Sequence, residues 1–348
     1  MTLRTLIATL VATLITPVLF GSASALTLPE ALRRVDTRGS VITARGELRD
    51  ARVNLMRVRR DPLAVRADTL GAEQRLALAE ATFAQTRYAA LSELTNAYTG
   101  VLGAAGQLEL AERSLALAER SLQIATIHLE NGSATPLDLD DARVALSEAQ
   151  NTLRAATEAR ALALNSLVSL VGGDLRADDL AGVPDAFLVE LPALGDALGS
   201  AERHPDLLNV RQQAELAALS ADVLDPLYAA RVEIDTAESQ LAGARRVLAE
   251  TRRGFRLQVR NLYSGAENAR TALRLETTSL ANARERLQTQ WQRLAGGLIS
   301  QLDLDQTVVQ TTQAQLEAET ARAGYLSALL ELQAGSLILL GGPFAAAL

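Results

Sequence analysis

Carboxylates crowd two turns of this chain. The first turn reads "NGSATPLDLDDARVALSEAQ" over residues 131–150, and the second reads "GGLISQLDLDQTVVQTTQAQ" over 296–315. Asp138, Asp140 and Asp141 are of a type that binds a hard cation such as calcium. For a cation, the first cluster falls on a helix start and lacks the loop glycine of a calcium hand. His128 and His204 are the only histidines, and neither has a metal-ligand partner at helical spacing. No glycine-rich phosphate loop follows a strand, and there is no nucleophile elbow. Cysteine is absent, which excludes disulfides, thiolate metal sites and a lipidated N-terminal cysteine. The sequence therefore reads as a non-enzymatic protein without metal or cofactor. What remains for the acids is to cap helices and to charge a turn.

The residues around the acids support that role. Gly132 and Gly297 each stand six positions before an aspartate, Asp138 and Asp303, and lie 165 residues apart. Each glycine follows a leucine stripe, where a left-handed residue ends a helix. Thr135-Pro136-Leu137-Asp138 and Ser300-Gln301-Leu302-Asp303 then fit a capping residue with an acid three positions on. Pro136 falls at the first helical position, where its missing N–H costs nothing. Each turn is thus expected to be the tip of an antiparallel helical hairpin.

The rest of the chain repeats at the same offset. Leu108, Leu115, Leu122 and Leu129 recur as Leu273, Leu280, Leu287 and Leu294. "FAQTR" at 83–87 matches "LAETR" at 248–252, and Asp61-Pro62-Leu63 matches Asp225-Pro226-Leu227 at an offset of 164. The halves end alike, in "SLVGG" and "LILLGG". Self-similarity of this kind marks a duplicated unit. Each half reads as helix, Asp-Pro break, very long helix, turn, helix.

Residues 62–131 hold no interior proline, and 70 helical residues would span about 105 Å. A heptad sustained for that length means a coiled coil. A second stripe, Leu110, Leu117 and Ile124, lies about 200° around the helix from the first, so both faces are apolar. A long dimeric coiled coil is one solution, and a closed ring of helices suits a two-sided pattern better. The expected fold is all-α, built of long antiparallel hairpins. Residues 26–190 form the first repeat and 191–348 the second, in one structural domain. Residues 173–194, with two prolines and several Gly and Asp, link them.

Residues 1–25 read as a signal peptide: Arg4 is the only charge, 6–20 is apolar, and Ala23-Ser24-Ala25 suits cleavage. Loss of Arg4 takes the net charge from −7 to −8. That acidity argues against a nucleic-acid partner. All basic residues except the histidines are arginines. An exported chain without disulfides must be held by packing.

The start "LTLPEAL", the two Gly-(x)5-Asp tips, the helix ends and the two-fold repeat resemble the TolC outer-membrane efflux family along essentially the whole mature chain. The resemblance implies a homotrimer whose helices pool into a hollow periplasmic tunnel. It also implies a periplasmic adaptor and an inner-membrane pump as partners. Carried over by position, it places Gly132, Ser133, Gly296, Gly297 and Leu298 at the adaptor contact, and Asp138 and Asp303 near the pore constriction. Helix capping is the alternative role for those two acids. Localisation follows as the periplasm or outer membrane.

The chain departs from the family at one end. The family carries a long β-hairpin between the first helix and the very long one in each half. Residues 59–74 and 224–240 occupy those slots here. A spanning hairpin needs roughly 20 residues plus its turn, and barrels carry aromatic girdles. Neither slot holds that length, and Tyr228 is the only aromatic in either. Both hairpins are expected to be missing or cut to a turn, leaving a helical barrel subunit with little or no β-barrel. Without closed strands the chain would not traverse a bilayer alone. Arg59, Arg60, Asp61 and Pro62, with Asp225 and Pro226, then mark an envelope-facing end. Outer-membrane lipid or another protein is a candidate partner there, and a solvated helix end is the plainer reading. Two functions stand open: an efflux or export conduit, and a non-transporting coiled-coil scaffold of the envelope. An adaptor is a weaker third, because adaptors carry β-rich domains.

Overall fold

The computed structural model describes residues 26–172, 175–176, 180–224 and 227–346. The expected leader at 1–25, Gly173, Asp225 and Pro226 lie outside the described residues. The helices are α1 (Leu28–Arg33), α2 (Gly39–Arg60), α3 (Arg66–Glu130), α4 (Pro136–Val171), α5 (Leu194–Ala201), α6 (Pro205–Val223), α7 (Arg231–Ala295), α8 (Gln301–Ser336) and α9 (Pro343–Ala346). Among the described residues there is no strand, only an isolated bridge between Leu26 and Leu180.

The duplication is visible in the helix bounds. α3 and α7 are each 65 residues long, and α4 and α8 are each 36. Every bound of α7 and α8 is that of α3 or α4 moved by 165 residues. At 1.5 Å per residue the long helices span about 98 Å. The first long helix starts at Arg66, four residues later than Pro62, because 61–65 are spent on a turn. There Asp61 Oδ1 accepts from the Leu63 N–H at 2.9 Å, and the Ala64 N–H donates to the Asp61 carbonyl at 3.2 Å.

The helices pack in two rows. Toward the tips the order is α4, α3, α8, α7; toward the other end it is α2, α3, α6, α7. α3 is therefore internal in both rows, and α7 is the edge in both. The inner face of α4 follows a heptad, with Leu139, Ala142, Leu146, Ala149, Leu153 and Ala156 recurring at three and four residues, all half-buried. Alternating Leu with Ala lets two helices approach closely while the leucines fill the seam.

A denser core sits midway along the long helices. Leu91, Leu94 and Tyr98 of α3 and Leu326, Leu329 and Leu330 of α8 are fully buried there. The link between the halves straps across this level. Tyr98 Oη lies 2.8 Å from the Leu26 carbonyl and 2.6 Å from that of Ala181. Burial pushes its hydroxyl up to about 12. The Tyr325 hydroxyl donates to the Val189 carbonyl at 2.8 Å, and Arg322 pairs with Asp185. Phe187 meets Phe344 edge-on at 5.1 Å, tying the link to α9. Backbone carbonyls of the strap are thus satisfied by buried hydroxyls, which fixes a loop that would otherwise carry orphaned acceptors.

Candidate functional site

The two tips are built alike. Gly132 and Gly297 have φ of 70° and 69°, the left-handed region that a side chain disfavours. At the first tip the Gly132 N–H donates to Leu129 O at 3.0 Å and the Ser133 N–H to His128 O at 2.8 Å. At the second, the Gly297 N–H donates to Leu294 O and the Leu298 N–H to Arg293 O, both at 2.9 Å. This double bond pattern closes a helix end and satisfies its last carbonyls.

The next helix opens at once. Asp138 Oδ2 accepts from the Thr135 N–H at 2.7 Å and hydroxyl at 2.8 Å, and the Asp138 N–H returns to Thr135 Oγ1 at 3.3 Å. Asp303 makes the same set with Ser300, at 2.9, 2.8 and 3.2 Å. Hydrogen bonds from Thr135 and Ser300 hold both carboxyls below the usual aspartate range. Both acids therefore cap helices, and both are exposed at the tip surface. Leu137 and Leu298 stand exposed beside them.

The structure brings Gly132, Ser133 and Asp138 together on one tip, and Gly296, Gly297, Leu298 and Asp303 on the other. Sequence reasoning missed the neighbours of these acids. Asp305 pairs with Arg120 of α3 at 2.6 Å, a cross-link between the two hairpins. Asp140 pairs within its own helix with Arg143 at 3.0 Å. No one-dimensional signal joins Arg120 to Asp305, which are brought together only by the packing of α3 on α8.

At the opposite end, Arg59 pairs with Glu73 at 2.8 Å and Arg60, Asp61 and Pro62 are exposed. Asp225 and Pro226 lie outside the described residues. The slots expected to have lost their hairpins are short: residues 61–65 separate α2 from α3, and 224–230 separate α6 from α7.

α7 carries twelve arginines against seven carboxylates, and α3 five against eight. Arg246, Arg253 and Arg260 recur every seven residues and are exposed, on the side of α7 opposite its buried Ala237, Phe255 and Ala266. That spacing was readable in the sequence. His204 opens α6, accepting from the Asp206 N–H through Nδ1 at 3.4 Å. Its ring is buried against Phe255 with centroids 4.5 Å apart, and its Nε2 lies 3.2 Å from Gln85 Nε2. Burial lowers its pKa, with Asp206 opposing. His128 is exposed in the last turn of α3.

Comparison with known proteins agrees with this architecture. Residues 63–173 match the family described as outer membrane efflux protein. No curated protein matches the sequence. The structure is similar to that of CusC, described in terms of folding and transmembrane channel formation: TM-score 0.63, 15% identity, covering 89% of this chain and 95% of that one. It is also similar to the outer membrane protein VceC of Vibrio cholerae, with a TM-score of 0.58, 16% identity and coverage of 89% and 96%. The open-state MtrE outer membrane channel of Neisseria gonorrhoeae gives 0.59, 15% and 88% of each chain. At these identities the likeness establishes the fold, which is TolC-like and helical, here with no strand among the described residues.

Proposed function

We propose, from a fold shared with outer-membrane channels and a match to the outer membrane efflux protein family, that this chain is the helical-tunnel subunit of an efflux or export conduit. It works in the periplasm or at the outer membrane as a ring of copies, three in number. The observation that carries the reading is the pairing of α3 with α8. The 165-residue repeat turns α3 into α7 and α8 into α4. The same contact, repeated, sets α7 of one copy against α4 of the next. Both helices stand at the ends of the row.

Charge supports that contact. α4 has five carboxylates against three arginines, and its face away from α3 presents Asp140, Asp141 and Glu148. α7 offers the arginine excess. In the ring, the two tips of each copy form the mouth. Gly132, Ser133, Gly296, Gly297 and Leu298 contact a periplasmic adaptor that bridges to an inner-membrane pump. Asp138 and Asp303 cap their helices and place negative charge near the constriction.

Sedimentation at micromolar concentration tests the ring, and export of a toxic compound by expressing cells tests the conduit. Gly297→Pro and Leu298→Asp should abolish adaptor binding or export with helicity nearly intact. A folded single copy, or tips that tolerate both changes without loss, defeats the conduit reading. The scaffold reading then takes its place. One observation favours it, namely that 61–65 leaves no room for a membrane-spanning hairpin in the first half.

A further inference from the structure

The two shortened connections lie side by side. Arg66, at the start of α3, reaches Asp222 near the end of α6 at 3.5 Å. Residues 61–65 and the described residues of the second connection, 224 and 227–230, therefore share one end of the molecule. That end carries the most exposed large apolar side chains among the described residues: Leu63 at 86%, Leu227 at 85% and Tyr228 at 88%. Val65, Val223 and Val232 stand exposed beside them. A turn meant for water is built from Gly, Asn, Asp and Ser, and here the projecting positions are Leu and Tyr instead. Scattered exposed leucines need no account, but a cluster at a projecting end does.

The charges at this end are unevenly satisfied. Asp61 accepts from the Leu63 N–H, and Asp68 from the Val65 N–H at 3.1 Å. Glu73 pairs with Arg59, and Asp222 with Arg66. Those four carboxylates are spent on caps and ion pairs, while Glu233 and Asp235 of α7 are exposed with no ion pair among the described residues. Arg60 and Arg231 are exposed and have no carboxylate partner among the described residues.

We propose that this end docks on an anionic phospholipid surface. Leu63, Leu227 and Tyr228 enter the bilayer interface, and Arg60 and Arg231 bind headgroup phosphates. The shape and chemistry choose lipid over a protein groove. Side chains this exposed have no wall around them, so they form a convex point, which a soft planar surface meets better than a folded partner does. An aromatic with a polar tip, flanked by arginines on long apolar stems, is the composition of membrane interfaces. No helix among the described residues is long and apolar enough to cross a membrane, and surface contact is all that is proposed. The inference rests on the reading above only for placing the chain in the cell envelope.

Flotation of the purified, exported chain tests it, with vesicles of phosphatidylethanolamine and phosphatidylglycerol against vesicles of phosphatidylcholine alone. The chain should float with the anionic vesicles, and added salt should weaken binding. Leu63→Ser, Leu227→Ser and Tyr228→Ser together should lower the partition coefficient at least about tenfold. Arg60→Gln and Arg231→Gln should each cost about fivefold, and the two together should remove the salt dependence. Leu137→Ser, an exposed leucine at the opposite end, should leave flotation unchanged, and circular dichroism should show all variants equally helical. The proposal is overturned if the triple variant floats like the parent, if neither vesicle is bound, or if Leu137→Ser loses as much. It is also overturned if the triple variant leaves the membrane fraction of cells although the parent ignores vesicles, because the end would then hold an envelope protein. Sedimentation of the same samples keeps the two readings apart. A chain that floats but sediments as one copy retains the docking surface and loses the conduit; a ring that ignores lipid does the reverse.

Discussion

α3 and α7 are copies of one helix, 65 residues each, yet only α3 has a helix on either side. The difference is written in their second faces. α3 presents Leu110, Leu117 and Ile124 on the face turned from its first leucine stripe, all half-buried. The positions 165 residues on are Leu275, Asn282 and Thr289, all exposed. A duplicated helix keeps the stripe that faces its own hairpin partner, because losing it would open the hairpin. It is free to change the other stripe to suit what it meets there. In α3 that is α8 of the same chain. In α7 it is a seam that the chain alone leaves bare, and arginines have accumulated on it.

The strongest way to break this comparison is to cut into each helix at its best and worst buried positions. Leu94→Ala in α3 should lower stability by about 2–5 kcal/mol, as for other large-to-small core changes. Leu257→Ala in α7, more than half exposed, should stay within about 0.5 kcal/mol. Urea unfolding of both variants checks this, and equal losses would show that α7 is no edge.

A sharper test uses the related pair Leu110 and Leu275. Leu110→Glu should shift the unfolding midpoint, because the charge enters a packed face without a partner. Leu275→Glu should leave the midpoint in place and reduce the sedimenting mass. A Leu275→Glu variant of unchanged mass would mean that this face meets nothing.

The tips should behave alike where the long helices do not. Gly132→Ala and Gly297→Ala each force a side chain into the left-handed region, at roughly 1–2 kcal/mol. Thr135→Ala and Ser300→Ala should each cost about 0.5–2 kcal/mol through loss of the cap. Thermal melts giving unequal losses within either pair would show that one tip is strained or supported in a way the other is not.

The smallest effects are in pH. The Asp138 and Asp303 carboxyls are lowered from 3.8 by their caps. Their contribution is present above that value and is lost as pH falls through the lowered ones. Asp→Asn at both positions should flatten the acid limb of the melting curve. His204, lowered from 6.5 by burial, works at higher pH. Its unfolded form takes a proton first, so stability should decline as pH drops from about 6.5 toward the lowered value. His204→Gln should remove that slope. The related helix of the first half, α2, has Arg38 rather than a histidine at its cap position, so any such slope belongs to the second half alone.

Much of the fold was legible because it repeats. Four matched leucines, two glycines at a fixed distance from an acid and one Pro at a helix start are local signals, and local hydrogen bonding decides caps and turns. The shortening of the connections was legible by counting residues. Hidden from the sequence was everything decided by which helix lies beside which. The Arg120–Asp305 pair, the seat of His204 against Phe255 and the strap held by Tyr98 and Tyr325 all join residues far apart in the chain. The arginine spacing on α7 was visible but had no meaning until α7 proved to be the edge.

The matching lengths of the arms limit how such a gene can change. One residue added to α3 moves its tip by 1.5 Å and turns every later side chain by 100°. Seven residues, about 10.5 Å, bring the stripe back to its partner. The returning α4 must then grow by seven as well, or its inner face no longer meets α3. A tip raised in one half alone would stand clear of the other and leave an uneven rim. Surviving insertions and deletions in the arms should therefore come in sevens and in all four helices together. Single-codon changes of length would be confined to the link and to the connections at the far end.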